Sequence, residues 1–282
     1  MNRSHRKRIA EETLAIIGRG WYENSAGEKI DIAGFVARGR AHTCLFRPEE
    51  LSELYEEEIK TDGNANSRTK FLVTNETTLS AARRITSEVG DGVACLNFAS
   101  AKNPGGGFLG GSQAQEESLA RSSSLYDSLL TQPEYYEANR AQKSPLYTDH
   151  IINSPDVVVI RDDHGALLDR FYTINIVTVP AVNAGALERC SQEERAQRAT
   201  TLARRMNYLL EICRRSSCGH LILGAWGCGV FRNDPIEVAK LFGDALKRGD
   251  RFLNCFRTVC FAVLDTSQDQ AIFRAFQAEF AE

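Results

Sequence analysis

No apolar run in these 282 residues approaches the length of a membrane span. The N-terminus, MNRSHRKRIAEETLAII, is basic, but it has neither a continuous apolar core nor a small-residue cleavage site, so it does not read as a secretory signal. A surplus of positive charge is missing too: 34 Lys and Arg stand against 37 Asp and Glu, for a net charge of -3. That excludes a general basic coat for nucleic acid, though not an anion held locally by backbone N–H groups. The eight cysteines form no CxxC pair, and no His/Cys cluster has metal-ligand spacing. Structural zinc is therefore unsupported, and buried free thiols in a reducing compartment are expected. The chain is expected to be soluble, intracellular and cytoplasmic, with the nucleus also open to it in a eukaryote.

No internal repeat or low-complexity tract interrupts the pattern of elements. Arg3 to Gly18 reads as an amphipathic helix, with Ile9, Thr13, Ile16 and Ile17 near helical spacing and Gly18 and Gly20 ending it. YENSAGEKIDI places turn residues between two short β-prone pieces, Pro48 to Lys60 is helical and acidic, and TDGNANSRTK is a polar loop. Strands and helices then alternate. FLVTN is a strand, ETTLSAARRITSEV a helix with an acid at its start, VACLNFAS a strand, and QEESLARSSSLYDSLL a helix. PDVVVIRD and FYTINIVTVPAV are strands, and Ser191 to Arg215 is one long helix with Ser191 and Glu194 spaced as a capping box. HLILGAW, DPIEVAKLFGDALK, TVCFAVLD and QDQAIFRAFQAEF complete the series as strand, helix, strand, helix. This is the pattern of an α/β fold, an α/β/α sandwich around a mixed or parallel sheet. Residues 1–70 read as an N-terminal helical extension packed on a core of residues 71–282, the two making one integrated domain.

Two glycine loops follow strands. The first lies in LNFASAKNPGGGFLGGSQAQEESLARS, where Gly105, Gly106, Gly107, Gly110 and Gly111 precede Gln115-Glu116-Glu117 at the start of a helix. Five glycines cost backbone entropy, and that cost is warranted where φ is positive or a ligand approaches the backbone. Acids in a first helical turn also stabilise the helix dipole, so position alone does not make them catalytic. Beyond a strand's carboxyl end, the usual ligand edge of an open α/β sheet, a catalytic carboxylate becomes the stronger reading. Neighbours on a helix point about 100° apart. One acid can therefore protonate a leaving group while the other holds a substrate hydroxyl. The second loop, HLILGAWGCGVFRNDPIEVAKLF, suits a diphosphate: Gly224, Gly227 and Gly229 let N–H groups converge, and Asn233 or Asp234 can cap a helix that begins at Pro235. It lacks the Gly-Lys-Ser/Thr of a Walker loop and the GxGxxG of a dinucleotide fingerprint.

The run GGGFLGGSQAQEE resembles the signature of the poly(ADP-ribose) glycohydrolases. The wider LNFASAKNPGGGFLGGSQAQEESLARSSSLY, the N-terminal RIAEETLAII and VTNETTLSAA resemble the compact microbial type, and GAWGCGVF is similar to that family's diphosphate loop. The resemblance covers nearly the whole chain and implies a macrodomain fold that binds ADP-ribose. Carried over by motif, Glu117 is the catalytic acid, Glu116 binds ribose hydroxyls, and Gln115 helps to hold that region. Gly105, Gly106 and Gly107, with Phe108 beside them, close over the substrate. Gly224, Ala225, Trp226, Gly227, Cys228, Gly229, Val230 and Phe231 wrap the diphosphate and terminal ribose, and Asn97 and Ser100 line the same pocket. In the longer animal-type enzymes the Asn97 position looks like an aspartate and the Ser100 position an asparagine. The adenine-stacking residue is not assigned by any motif.

The resemblance implies hydrolysis of ribose–ribose O-glycosidic bonds from chain ends, in reversal of ADP-ribosylation and as part of a DNA damage response. Glu117 would protonate the leaving oxygen and then deprotonate the attacking water, one carboxylate serving both steps, with its pKa raised by an apolar or anionic setting. No cofactor and no metal are expected. The partners are poly(ADP-ribose) and ADP-ribosylated proteins, the product is ADP-ribose, and neither direct DNA binding nor a membrane is involved; a monomer is expected. The alternatives are a non-catalytic ADP-ribose-binding macrodomain, a mono-ADP-ribosyl hydrolase, and a phosphate-binding metabolic enzyme on a similar sheet.

Overall fold

In this computed structural model, residues 1–57 and 68–281 are described. In chain order they form α1 (Arg3–Arg19), β1 (Trp21–Glu23), β2 (Lys29–Asp31), α2 (Ala33–His42), β3 (Cys44–Phe46), α3 (Pro48–Glu56), β4 (Lys70–Thr74), α4 (Thr78–Val89), β5 (Val93–Phe98), α5 (Gln115–Ser122), α6 (Leu125–Leu129) and α7 (Pro133–Ala141). The second half contributes β6 (Ile151–Arg161), β7 (Leu167–Val179), α8 (Ala184–Leu187), α9 (Gln192–Ala196), α10 (Arg198–Arg215), β8 (His220–Leu223), α11 (Pro235–Gly243), β9 (Thr258–Ala262) and α12 (Ala271–Phe280). Among the described residues no helix is long and apolar enough to cross a membrane.

The layers follow from strand alternation, since successive side chains of a strand point to opposite faces. In β5, Val93 and Cys95 join a core with Leu79, Ala82 and Ile85 of α4, Leu119 of α5 and Tyr135 and Tyr136 of α7. Ala94 and Leu96 join the opposite core with Leu202, Met206 and Leu209 of α10, Phe242 of α11 and Phe276 of α12. A seven-stranded sheet in the order β3-β6-β7-β5-β8-β9-β4 separates the two. β7, β5, β8, β9 and β4 run parallel, while β6 is antiparallel to β7 and β3 antiparallel to β6. The fold is the α/β/α sandwich around a mixed sheet that the alternation predicts. From β5 the chain reaches β7 on one side and then β8 on the other, so the carboxyl end of β5 is a switch point, where open sheets hold ligands.

Several elements depart from the sequence reading. The helix predicted over QEESLARSSSLYDSLL breaks after Ser122: Ser123 turns extended, bridges to Val159 and donates its hydroxyl to Leu119 O at 2.7 Å. Serine hydroxyls compete with the helix for its own carbonyls, and three stand in a row here. The helix predicted from Ser191 to Arg215 is two, meeting at Gln197, although Ser191 caps the first as expected. Glu76 lies outside the first turn of α4, which Thr77 caps instead, and pairs with Arg84. The early segment is not only helical, since β3 forms one edge of the main sheet. α2 and α7 carry no strong signal in the sequence. The predicted helix over Pro48 to Lys60 is present to Glu56; its end, and most of the TDGNANSRTK loop, lie outside the described residues. All eight cysteines are free, but Cys44 and Cys255 are exposed rather than buried.

Behind the carboxyl end of β7 sits a buried cation. Arg205 of α10 is 0% exposed; it pairs with Asp149 at 2.7 Å and donates to Pro180 O at 2.9 Å and to Leu146 O at 2.5 Å. It thereby ties the loop after β7 to the helix layer. Arg205→Met leaves those two carbonyls without a donor and removes one of the two arginines that pair with Asp149, so the variant should lose about 3 kcal/mol in chemical denaturation. A loss within about 0.5 kcal/mol, the range of an ordinary surface change, would show that the network is not a structural tie.

Candidate active site

Gln115 opens α5 without a side-chain cap ahead of it and spends its amide on the end of β5. Its Oε1 accepts from Phe98 N–H at 2.9 Å, and its Nε2 donates to Leu96 O at 2.7 Å and to the Thr78 hydroxyl at 3.2 Å. The helix start is therefore fastened to the strand. Glu116 follows and turns inward, only 3% exposed. Asn97 of β5 donates to its Oε1 at 3.1 Å, and Ser100 N–H to its Oε2 at 2.7 Å. Burial pushes the Glu116 carboxyl up to about 8, and the charge of Glu117 adds to the rise, against the hydrogen bonds from Ser100, Asn97 and Gly105. Glu117 is half-buried, and Gly107 N–H donates to its Oε1 at 3.0 Å.

Gly106 shows why the loop needs glycine. Its φ is +59°, and a Cβ there would sit 2.5 Å from Glu117 Oε1 and 3.3 Å from Glu116 Oε2. Both carboxyl groups thus face one residue that has no side chain to keep them apart. Gly105 is also left-handed, while Gly107 is not and is confined by the Ser112 hydroxyl.

The second loop is built on buried anchors. Trp226 is 0% exposed and donates its indole N–H to Val179 O at 3.1 Å. Asn233 is buried and donates to Val182 O at 2.8 Å and to Gly227 O at 3.2 Å. Gly227 has φ +73°, and a Cβ on it would strike Asn233 and Ala181. Asp234, not Asn233, caps α11 by accepting from Ile236 N–H, with Pro235 at the first position.

A cavity of about 490 Å³ lies between these parts. Phe98, Ala99 and residues 113–115 with Ser118 line one side, and Ala225, Gly227, Gly229, Val230 and Phe231 the other. Neither Glu116 nor Glu117 is in the lining, but Gln115 and Ser118, which flank the pair, are. Val230 is 81% exposed and stands at the opening, and the half-buried Phe231 packs near Tyr147 with ring centroids 6.0 Å apart. Glu76, Thr77, Asp163, Leu264 and Ile272 close the far end. Sequence reasoning missed these, although Glu76, Thr77 and Leu264 follow the carboxyl ends of β4 and β9 on the same sheet edge, which was the available signal.

Several of the expected residues have side chains that stand behind the cavity wall. Phe108 and Trp226 are fully buried and take no part in the cavity wall: Phe108 packs with Ala10 and Ala120, and Trp226 with the core under the second loop. Cys228 is buried too, its thiol pushed up to about 12 by burial. Gly224 is pressed against Ala262 O, and Asn97 acts on Glu116 and Thr178 rather than lining the cavity. The Ser100 hydroxyl serves its own loop, accepting from Asn103 N–H at 3.1 Å. Among the described residues no three His, Cys, Asp or Glu side chains gather as metal ligands. The arrangement offers one deeply buried and one half-buried carboxyl group and backbone N–H groups suited to an anion.

A family model described as microbial-type PARG, catalytic domain, matches residues 10–162. The X-ray structure of poly(ADP-ribose) glycohydrolase from Thermomonospora curvata is 46% identical with a TM-score of 0.93, covering 99% of this chain and 100% of that one. That enzyme bound to the inhibitor ADP-HPD is 45% identical with a TM-score of 0.90, over 99% and 100% of the two chains. The Deinococcus radiodurans poly(ADP-ribose) glycohydrolase in complex with ADP-ribose is 44% identical with a TM-score of 0.80, over 89% and 99%. No curated protein matches the chain.

The buried carboxyl yields a pH test. Glu116 is raised from 4.5 to about 8 in the folded state, so its contribution to stability is fully present below pH 4.5 and is lost as the pH rises to about 8. Asn97 Oδ1, buried and without a partner among the described residues, can accept from the protonated acid if the amide turns over. Glu116→Gln mimics that acid. Denaturation across pH 5 to 8.5 should show parent stability falling relative to this variant by up to about 1.4 kcal/mol per pH unit. Parallel curves would mean that Glu116 is ionised throughout.

Proposed function

The chain belongs to the microbial-type poly(ADP-ribose) glycohydrolases, and from that membership we propose how its own residues cleave the bond. The enzyme is a glycosidase that hydrolyses the ribose–ribose O-glycosidic link of poly(ADP-ribose) and releases ADP-ribose. The observation that carries the assignment of roles is the split within one pair of acids: Glu116 buried and held by β5, Glu117 half-buried beside the cavity under the Gly107 N–H.

Glu117 gives its proton to the leaving ribose oxygen as the bond from the anomeric carbon breaks. The oxocarbenium-like centre is steadied by the diphosphate, which the N–H groups of Gly227, Gly229, Val230 and Phe231 hold nearby. Glu117 then takes a proton from the water that attacks that carbon, and the carboxyl is restored for the next turnover. Glu116, its carboxyl pushed up to about 8 by burial, orients ribose hydroxyls and leaves both proton transfers to Glu117. This differs from the two-carboxylate glycosidase scheme, because one group serves both proton transfers. Gln115 and Asn97 act as positioning residues that fix the helix to the strand.

The substrate is poly(ADP-ribose) on modified proteins, attacked from the chain end, with ADP-ribose as product. The acting unit is the single chain, since the acids and both loops come from one molecule. Eight free cysteines support an intracellular, cytoplasmic site of action. The route uses no metal and no cofactor.

Incubation with poly(ADP-ribosyl)ated protein, with free ADP-ribose quantified over time, tests this. Glu117→Gln should lower kcat by about a thousandfold, within the range of general acid–base catalysis, while ADP-ribose affinity stays within about twofold. Parent activity should persist in excess chelator. Normal turnover by the variant would remove Glu117 from its role, and binding without release by the parent would make the chain a reader of ADP-ribose.

A further inference from the structure

The glycine loop that supports Glu117 is gripped from outside. Arg3 Nε donates to Gly110 O at 2.8 Å, and Arg6 Nε donates to Gly111 O at 2.8 Å, both from the first turns of α1. Arg121 completes the row, donating to Ser112 O at 2.8 Å. Three successive carbonyls of the loop thus each accept from a guanidinium. Gly111 is left-handed at φ +75°, and a Cβ on it would run into the Arg3 carbonyl, so the helix and the loop meet backbone to backbone.

The grip is passed on to the acid. Gly110 N–H and Ser112 N–H both donate to Gly107 O, at 3.0 and 3.2 Å, and Gly107 N–H in turn donates to Glu117. The underside of α1 is fixed as well. Ala10 and Leu14 pack on Phe108 and Ala120, and Thr13 donates its hydroxyl to Arg121 O at 2.7 Å. Arg161 donates to Thr13 at 2.9 Å and pairs with Glu12 at 3.0 Å. The other basic residues of the same turns do something else: Lys7 pairs with Glu11, and Arg8 bonds His5. Residues three apart share a helix face, which puts Arg3 and Arg6 together on the loop. Both stand ahead of residues 10–162, the span that the family model matches.

We propose that Arg3 and Arg6 are positioning residues of the reaction: they lock the Gly105–Ser112 loop so that Gly107 holds Glu117 in its working orientation. They touch no substrate. Their effect belongs in kcat, because a small misplacement of an acid costs rate even where binding is intact. The proposal rests on Glu117 being the acid, and an independent readout of the loop keeps the two ideas separable.

The test uses the full chain with Arg3→Ala, Arg6→Ala, both together, and Lys7→Ala as a control for lost charge. With poly(ADP-ribosyl)ated protein as substrate, the double variant should lose about tenfold to a hundredfold in kcat, while KM and the Kd for ADP-ribose stay within about twofold. Hydrogen exchange of the amides of residues 105–112 should quicken by about tenfold with β5 and α10 unchanged. Lys7→Ala should match the parent. Unchanged loop exchange in the double variant overturns the proposal whatever the activity. So does an effect confined to KM and shared by Lys7→Ala, which would mean that the helix merely attracts a polyanion. Faster exchange throughout the protein would reduce the arginines to a general fold role. If the parent releases no ADP-ribose, the reading of Glu117 fails, and the exchange data alone decide whether the arginines hold the loop.

Discussion

A carboxyl group buried at the end of the central strand is what the rest of the site arranges itself around. Glu116 cannot lie among β5, α5 and α7 without donors, because an unsatisfied buried acid costs several kcal/mol, on the order of a lost charge-assisted hydrogen bond or more. Asn97 supplies one donor from the strand and Ser100 N–H the other from the turn that leaves it. Those two contacts fix both the height and the rotation of the first turn of α5. Gln115 adds to this by completing the strand's own hydrogen bonds. Once Glu116 points inward, helical geometry swings Glu117 by about 100° toward the glycine loop, where Gly107 N–H meets it. The different settings of two adjacent, chemically identical side chains are thus a consequence of burying one of them.

The cavity opposite has its own constraint. A loop meant to wrap an anion offers N–H groups to the ligand and must satisfy its carbonyls elsewhere. In the second loop the buried Asn233 amide does this for Gly227 O. The Trp226 indole and the Asn233 amide reach the carbonyls of Val179, Val182 and Gly227, which joins the loop to the end of β7. Arg205 secures the neighbouring Pro180 carbonyl from below. The wall left free for a ligand is small side chains and backbone, with Val230 and Phe231 at its rim. β7 and β8 flank β5, so the two loops face each other across the switch point with no further device.

Much of this was legible in the sequence, and the limits of that legibility are physical. Strand and helix alternation gave the layers, since period-2 burial in VACLNF leaves few other packings. The glycine loop followed by Gln-Glu-Glu marked the start of α5 beside the cavity, and Pro235 marked the helix after the second loop. That the Phe108 and Trp226 side chains, inside glycine loops, are packed into the core is not visible from residue type, because only the three-dimensional neighbours decide. Helix breaks at Ser123 and Gln197 were missed because apolar periodicity continues across them while hydroxyl and amide groups compete locally for the backbone. β3 was missed because three residues at a sheet edge have too little pattern of their own. The far end of the cavity stayed hidden because it is assembled from the ends of β4 and β9, which lie far apart in sequence but pair in register.

The basic N-terminal helix shows the same limit from another side. In sequence, Arg3, Arg6, Lys7 and Arg8 form one basic cluster. In the fold they divide by direction. Lys7 and Arg8 find partners on their own helix, whereas Arg3 and Arg6 reach carbonyls 107 and 105 residues away in sequence. A loop with five glycines has almost no side chains with which to brace itself, and every glycine adds backbone freedom that must be removed on folding. Bracing from outside, through donors that saturate successive carbonyls, restricts such a loop while leaving its inner surface bare. That bareness is what lets both carboxyl groups lie against Gly106. The same absence of side chains that opens the site to chemistry therefore makes it depend on a helix that takes no part in the chemistry.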